Sequence, residues 1–251
     1  MIVKTDALVL KEQKIGENDR LITLLTRDMG VIRAFAKIAG KGKSGLQSAT
    51  QLLSYSEFTV SVGKTNNRIR EAEALEVYFG LWQDVEKVSL AQYFIQLISE
   101  SSLESDEGGE LLRIMLNTLY FLNKSLKNTE QLKAIVELRV ICMCGYMPDF
   151  SGCARCGKQG ADGERYIFDY LNGRIFCEDC RPSLSGPHAV INMSVLSALR
   201  HIVNSDISHL FSFNMSEENF KTLSDVTEGY AITQLGRGFT ALDFYKSVKL
   251  N

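Results

Sequence analysis

Residues 153–180 have the sequence CARCGKQGADGERYIFDYLNGRIFCEDC, in which two Cys-x-x-Cys pairs enclose a short segment. The pairs are Cys153 with Cys156 and Cys177 with Cys180, a spacing typical of a closed tetrahedral zinc site. Four thiolates fill the coordination shell of such an ion and leave no position for water or substrate. The spacing therefore predicts a structural Zn²⁺ and argues against a catalytic one.

The segment between the pairs predicts a β-hairpin. Apolar residues alternate from Tyr166 to Phe176, and the alternation is interrupted by Asn172-Gly173, a dipeptide typical of tight hairpin turns. Gly157 follows the first pair and supplies the backbone freedom that a metal-binding turn requires. We expect two cysteine turns clamped by one ion and joined by a hairpin, which is a zinc ribbon.

A pair of redox-active Cys-x-x-Cys sites is the alternative interpretation, but thioredoxin-like sites lie in a βαβ context that this segment lacks.

Cys142 and Cys144 lie in an apolar helical pattern and are expected to be small buried side chains. No histidine has ligand or triad spacing, and the sequence has no Walker A, H-E-x-x-H or G-x-S-x-G motif. We predict that the protein is not an enzyme, with a zinc-dependent hydrolase or redox enzyme as the weaker alternative.

The composition is that of an ordinary globular protein. The chain has 251 residues, 45% of them hydrophobic and 23% charged, and a net charge of −2. The first residues, Met1 to Asp6, lack the basic and apolar pattern of a signal peptide, and no apolar run approaches the length of about 18 residues that a membrane span needs. We therefore expect a cytoplasmic protein with reduced cysteines.

Strand-like alternation occupies residues 1–80, and a helical period follows. The predicted strands are Ile2–Lys14, Arg20–Arg27, Val31–Ile38, Leu52–Val62 and Arg68–Leu75. Five short strands predict a small barrel or a sandwich. Helical spacing of apolar residues recurs at residues 85–98, 110–126, 129–146, 193–203 and 216–235.

The third predicted strand has an apolar face and a basic face. Alternation turns Ala34 and Ala36 inward and Arg33, Phe35 and Lys37 outward. Cations neutralise phosphates and an aromatic ring stacks on a base, so this face suits single-stranded nucleic acid. The alternative is an ordinary solvated strand face. The candidate DNA-binding residues are Arg33, Phe35, Lys37, Lys41, Lys43, Lys64, Arg68 and Arg70.

Several short motifs occur in a fixed order along the chain. They are GENDRL at 16–21, TRDMG at 26–30, AFAK at 34–37, ELR at 137–139, GYMPD at 145–149, and Gly236-Arg237 before Leu242. Together with the four cysteines, they resemble the bacterial RecO family of recombination mediators over nearly the whole chain.

The resemblance implies an α+β multidomain fold. An N-terminal five-stranded OB-fold barrel would occupy residues 1–80. An α-helical domain would comprise residues 81–150 and 183–251, with a four-cysteine zinc-ribbon insertion at residues 151–182.

The resemblance also implies a function in DNA repair and homologous recombination. It implies binding of single- and double-stranded DNA, annealing of complementary strands, and help in loading RecA. The implied partners are RecR and the acidic C-terminal tail of single-stranded-DNA-binding protein (SSB), for which Lys133 and Arg139 are candidate contacts. The alternative is a protein-only adaptor with a structural zinc, which binds partners through its helical domain.

Overall fold

A computed structural model describes residues 1–17, 19–37, 44–101, 108–160, 163–181 and 185–249, with the side chains of residues 44 and 45 left out. The predicted DNA contacts Lys41 and Lys43 lie outside these residues. The chain divides into two compact units, Met1–Lys124 and Ser125–Leu250. Within the described ranges, no helix combines the length and the apolar character needed to cross a membrane.

The first unit contains a closed barrel of five strands in the order β1-β2-β3-β5-β4. The strands are β1 Ile2–Lys14, β2 Asp19–Thr26, β3 Gly30–Lys37, β4 Ser54–Ser61 and β5 Asn67–Val77. Their bounds agree with the predicted segments to within about two residues, because turn-forming residues border the strands and β3 and β4 each have one apolar face. The barrel resembles an OB-fold, and its closure decides between the two predicted arrangements in favour of the barrel.

The barrel core consists of side chains that alternate along the strands. Phe58 of β4 and Ala34 and Ala36 of β3 are buried there, whereas Arg33 and Lys37 are exposed, as the alternation predicted. A short helix, α1 Ser44–Ala49, was not predicted from the sequence. Its Leu46 belongs to the core cluster, so α1 adds an apolar side chain to the barrel interior.

Two longer helices belong to the same unit. Helix α2, Val85–Glu100, begins after Asp84, whose carboxylate accepts two backbone N–H groups of the first turn at 3.0 and 3.2 Å. Helix α3, Gly108–Asn123, starts against the turn between β2 and β3. A Cβ atom at Gly108 would lie 2.7 Å from the Cα atom of Gly30, so the close approach of α3 to the barrel requires glycine.

The second unit combines helices with a three-stranded antiparallel sheet in the order β7-β6-β8. The predicted hairpin is confirmed as β6 and β7, whereas β8 and α7 were not predicted. Among the described residues, the elements are α4 Thr129–Met143, β6 Arg165–Asp169, β7 Arg174–Cys177, β8 His188–Asn192, α5 Met193–Asn204, α6 Glu217–Leu235 and α7 Thr240–Lys249.

The ribbon packs on α6 through aromatic side chains. The ring of Phe168 lies 5.0 Å from Phe150, 5.2 Å from Tyr170 and 5.0 Å from Tyr230, measured between centroids. Gly173 in the hairpin turn has a φ of 61°, and a Cβ atom there would lie 2.8 Å from the hydroxyl of Tyr230. The Asn-Gly turn therefore serves both the hairpin and its contact with α6.

Helix α4 is buried on nearly all sides and contains a buried ion-pair network. Lys133 is 2% exposed, and its Nζ lies 2.9 Å from carboxylate oxygens of both Glu137 and Glu228. Thr227 donates a hydrogen bond of 2.7 Å to Glu137. Burial lowers the pKa of Lys133, but the two carboxylates outweigh burial and raise it above its ordinary value of 10.5. The network fixes α4 against α6 in one register.

Replacing Lys133 with alanine is expected to lower the free energy of unfolding by about 3–5 kcal/mol, because two carboxylates would stay buried without their cation. Lys221→Ala, at an exposed position of α6, is the control and should change the stability by less than about 0.5 kcal/mol. Urea denaturation of both variants measures the difference. Equal effects in the two variants would contradict the network's structural role.

The same network predicts a pH dependence of stability. Burial raises the pKa of Glu228, but attraction to Lys133 outweighs it and holds the pKa below the ordinary value of 4.5. The stabilisation from Glu228 is therefore present above pH 4.5 and lost as the pH falls through the lowered pKa. That from Lys133 is present below pH 10.5 and lost as the pH rises through the raised pKa. Urea denaturation across pH should therefore show smaller decreases in the free energy of unfolding at low and at high pH for Lys133→Ala than for the wild type.

Candidate metal centre and nucleic-acid interface

The four cysteines of the ribbon lie together. The sulfur atoms of Cys153, Cys156, Cys177 and Cys180 all lie within 4.8 Å of one another. The Cys156 and Cys177 sulfurs are 3.7 Å apart, far longer than a disulfide bond of about 2.05 Å. A tetrahedral ion with metal–sulfur bonds of about 2.3 Å would hold its ligands about 3.8 Å apart. The cluster can therefore hold a metal ion of that size.

The local backbone explains why the cysteines converge. Gly157 has a φ of 76°, and its N–H donates to the Cys153 carbonyl at 2.8 Å, which closes the turn that contains the first pair. The Cys153 N–H in turn donates to the Lys158 carbonyl at 2.8 Å. The N–H of Ala154 donates to the Ile175 carbonyl at 2.8 Å, which joins this turn to β7 and hence to the second pair.

The electrostatics of the cluster favour a cation. Burial raises the pKa of Cys153, but backbone N–H groups that include that of Cys177 outweigh burial and bring the pKa to about 6. Hydrogen bonding with the thiols of Cys156 and Cys177 raises the pKa of Cys180 to about 12. One thiol therefore ionises readily while another resists, because hydrogen bonds within the cluster favour its protonated form. A bound dication would favour the thiolate forms of all four cysteines.

The barrel closes at a short parallel contact between β3 and β5. Among the described residues these strands pair only at Ala34 with Asn67 and at Phe35 with Arg68, whereas β3 pairs with β2 along its whole length. A cavity of about 510 Å³ lies beside this contact. We call it the seam pocket, and its lining includes Asp19, Phe35, Lys37, Asn66, Arg68 and Arg70.

A β-bulge lies at Arg70, which lines the seam pocket. In the pairing of β4 with β5, Val60 faces Ile69 and Thr59 faces Glu71, so Arg70 is an extra residue on β5. Ile69 is buried while Arg70 and its successor are both exposed. Alternation from Ile69 places Arg70 on the outside of the barrel, and the bulge keeps Glu71 on the outside as well.

The structure brings four of the eight predicted DNA contacts together. Phe35, Lys37, Arg68 and Arg70 line the seam pocket. Arg33 lies on the same exposed face of β3, and Lys64 is exposed in the turn before β5. Asp19 and Asn66, which were not predicted as site residues, also line the seam pocket.

The two candidate partner contacts differ in exposure. Lys133 is 2% exposed and paired with two carboxylates, so its ammonium cannot reach an acidic peptide. Arg139 is half-buried, and its guanidinium donates to the carbonyls of Ile202 and Val203 at 3.3 and 3.2 Å. Burial and ion pairing give Lys133 a structural role. Arg139 instead stabilises the last turn of α5.

An exposed apolar patch lies at the start of α2 and was not predicted. Phe79, Trp82 and Val85, here called the aromatic patch, are 70%, 49% and 57% exposed. Phe79 and Trp82 lie in a 3-10 turn, in which side chains three residues apart point to the same side. Residues 71–86 contain five acidic and no basic residues, whereas residues 64–70 contain three basic and no acidic ones. The patch is thus suited to a protein and the seam pocket to an anion.

Comparisons with known proteins identify the family. The family models "Recombination protein O N terminal" and "Recombination protein O C terminal" match residues 1–78 and 83–243. A protein of Acetivibrio thermocellus named DNA repair protein RecO is 33% identical over 246 residues, which cover 98% of this chain and 97% of that protein. Relatives of the same name from Alkaliphilus metalliredigens and Dehalococcoides mccartyi are 25% and 29% identical, over 99% and 86% of this chain and 100% and 83% of their own lengths. The chain therefore belongs to the recombination protein O (RecO) family.

Proposed function

We propose that this RecO family chain is a mediator of DNA repair and homologous recombination that binds DNA through its barrel. The observation that carries the proposal is the seam pocket, where Phe35 lies with Lys37, Arg68 and Arg70. Arginine and lysine neutralise phosphates, and an aromatic ring provides a surface on which a base stacks. Arg33 and Lys64 would extend the cationic surface, and Lys41 and Lys43 are further predicted contacts.

The proposed action in the bacterial cytoplasm is non-enzymatic. Two DNA strands repel each other through their phosphates, and a cationic surface lowers that repulsion when both strands lie on it. Complementary bases can then pair, so binding of single and double strands on one surface would produce annealing. No bond is made or broken by the protein in this scheme.

Protein partners would direct the DNA-binding and annealing activity to SSB-coated single strands. The proposal includes RecR, the acidic C-terminal tail of SSB, and indirectly RecA, whose loading onto SSB-coated single strands the complex would assist. The exposed aromatic patch supports a protein contact on the Met1–Lys124 unit, because aromatic side chains are typical anchors of protein interfaces. We place RecR at this patch and assign no residue to the SSB tail.

The four cysteines are proposed to hold Zn²⁺ in a structural role. Zn²⁺ in a four-thiolate shell supplies folding free energy to the segment that carries its ligands. Cys153 and Cys156 would hold the turn before β6, while Cys177 and Cys180 would hold the end of β7 and the turn after it.

The DNA contact predicts a specific loss in Arg68→Glu. This change is expected to weaken binding of a single strand at least about tenfold and to reduce the slope of log affinity against log salt by about 0.7 or more, because a phosphate contact is lost. Lys124→Glu, an equal change of charge at an exposed position of the same unit, is the control and should leave the slope nearly unchanged. Fluorescence anisotropy across a salt series measures both, and equal losses would remove the assignment of Arg68.

The metal site predicts a loss of both metal and stability in Cys177→Ser. Metal analysis of the purified full chain should find one zinc ion per chain in the wild type and much less in the variant. The thermal transition should also fall, since the ribbon packs on α6 and loses its clamp. Cys144→Ser, outside the cluster, should keep its zinc. A Cys177→Ser protein with wild-type zinc content would disprove the site.

The aromatic patch predicts a separation of partner binding from DNA binding. Replacing Phe79 and Trp82 together by alanine should weaken association with RecR by about tenfold or more, since buried aromatic anchors dominate interface energies. Binding of single-stranded DNA should stay at the wild-type level. The control is Phe244→Ala, which removes an exposed aromatic ring from the other unit. Wild-type affinity for RecR in the double variant would contradict the assignment.

A protein-only adaptor is the second candidate function, and the aromatic patch is the observation that favours it. In that case the helical domain, with the patch at the start of α2, would bind the partner, and the barrel would not bind DNA. The two functions differ in one result, since only the mediator binds single strands with an affinity that falls as salt rises.

A further inference from the structure

We propose that the seam pocket binds one unpaired cytosine or adenine, and that the Asp19 carboxylate accepts a hydrogen bond from cytosine N4 or adenine N6. The inference rests on the proposed DNA-binding function and adds a base preference to it. Cytosine and adenine would be favoured over thymine, and single strands over duplex.

The shape of the pocket follows from the barrel closure. Next to the pairs of Ala34 with Asn67 and Phe35 with Arg68, β3 continues to Lys37 without further described pairing to β5. The strands separate there, and the resulting cavity of about 510 Å³ is within the range of pockets that hold small organic groups. The pocket is therefore a gap in the barrel wall whose volume is sufficient for a planar ring.

The walls of the pocket differ in chemistry. Phe35 is partly buried and offers a ring on which a base can stack, while Lys37, Arg68 and Arg70 supply cations for the phosphates on either side of that base. This combination favours a nucleotide over an apolar ligand, which has no charge for the three cations, and over a free phosphate, which has no ring for Phe35.

Asp19 is the residue that gives the pocket a preference for cytosine and adenine over thymine. Asp19 is exposed and lies across from Lys37 in the pairing of β2 with β3, and its carboxylate makes no hydrogen bond or ion pair with another described residue. An ionised carboxylate only accepts hydrogen bonds. Cytosine N4 and adenine N6 are amino donors, whereas thymine presents its O4 acceptor at the equivalent position. A carboxylate therefore attracts the first two bases and repels the O4 edge of thymine.

The preference for single strands has the same origin. In a duplex, the amino groups of cytosine and adenine are engaged in base pairing, and both faces of each base are stacked on neighbours. Only an unpaired and unstacked base can offer its ring to Phe35 and its amino group to Asp19.

A simpler interpretation of Asp19 is that it offsets the charge of Lys37. The two interpretations predict different results for Asp19→Asn. If Asp19 only offsets charge, its removal should strengthen the binding of every single strand by the same factor. If Asp19 recognises a base, its removal should change the ratio between strands, because an amide can accept from cytosine N4 or donate to thymine O4.

The test measures dissociation constants of the full chain for fluorescent oligo(dC) and oligo(dT) of about 20 nucleotides at one fixed ionic strength. The wild type is expected to bind oligo(dC) about tenfold more tightly than oligo(dT). Asp19→Asn should bring this ratio close to one. The control is Glu17→Gln, which neutralises an exposed acid in the neighbouring turn and should keep the wild-type ratio.

The ratio compares two dissociation constants of the same protein. A small change in the folded fraction therefore alters both constants by the same factor and leaves the ratio unchanged. A wild-type ratio near one, with binding that still weakens as salt rises, would overturn the base preference and leave the proposed function intact. A preference that persists in Asp19→Asn would also overturn it, because the selectivity would lie elsewhere. Failure of the wild type to bind either oligomer at low salt would overturn both the inference and the proposed function.

Discussion

The barrel closes through a parallel contact of two described residue pairs between β3 and β5, and the proposed functional surface depends on that contact. A longer parallel pairing would cover the edges of both strands. The short contact instead lets the strands separate beside Phe35, and Arg70, next to the buried Ile69, adds a further cation to the outer face. Closure of the sheet and formation of the seam pocket are thus two consequences of the same strand geometry.

Charge is separated along β5 and the turn that follows it. Residues 64–70 carry three basic residues, whereas residues 71–86 carry five acidic ones, although the whole chain has a net charge of only −2. Phosphates are attracted to the first segment and repelled by the second, which also contains the exposed aromatic patch. One unit can therefore offer DNA and a protein partner separate surfaces. The net charge of the whole chain does not reveal this separation.

The strands, the ribbon hairpin and the cysteine cluster were predictable because each depends on local alternation or spacing. The short helix α1, the strand β8 and the helix α7 were missed, since each is short and takes its stability from packing that local patterns do not reveal. Lys133 was named as a candidate contact for the SSB tail, but it is buried, because Glu228, on a different helix, helps to neutralise it. Asp19 and Asn66 join the seam pocket only through barrel closure, a long-range contact. The domain division at residue 80 stays a prediction.

Hydrogen exchange of the full chain, with and without a saturating single strand of about 20 nucleotides, tests the central claim most directly. Peptides from residues 30–37 and 64–70 should exchange more slowly when DNA is bound, because these backbones border the seam pocket. Peptides from α4 should not change, since that helix is buried in the other unit. Slowed exchange elsewhere, with residues 30–37 and 64–70 unaffected by DNA that is demonstrably bound, would contradict the account.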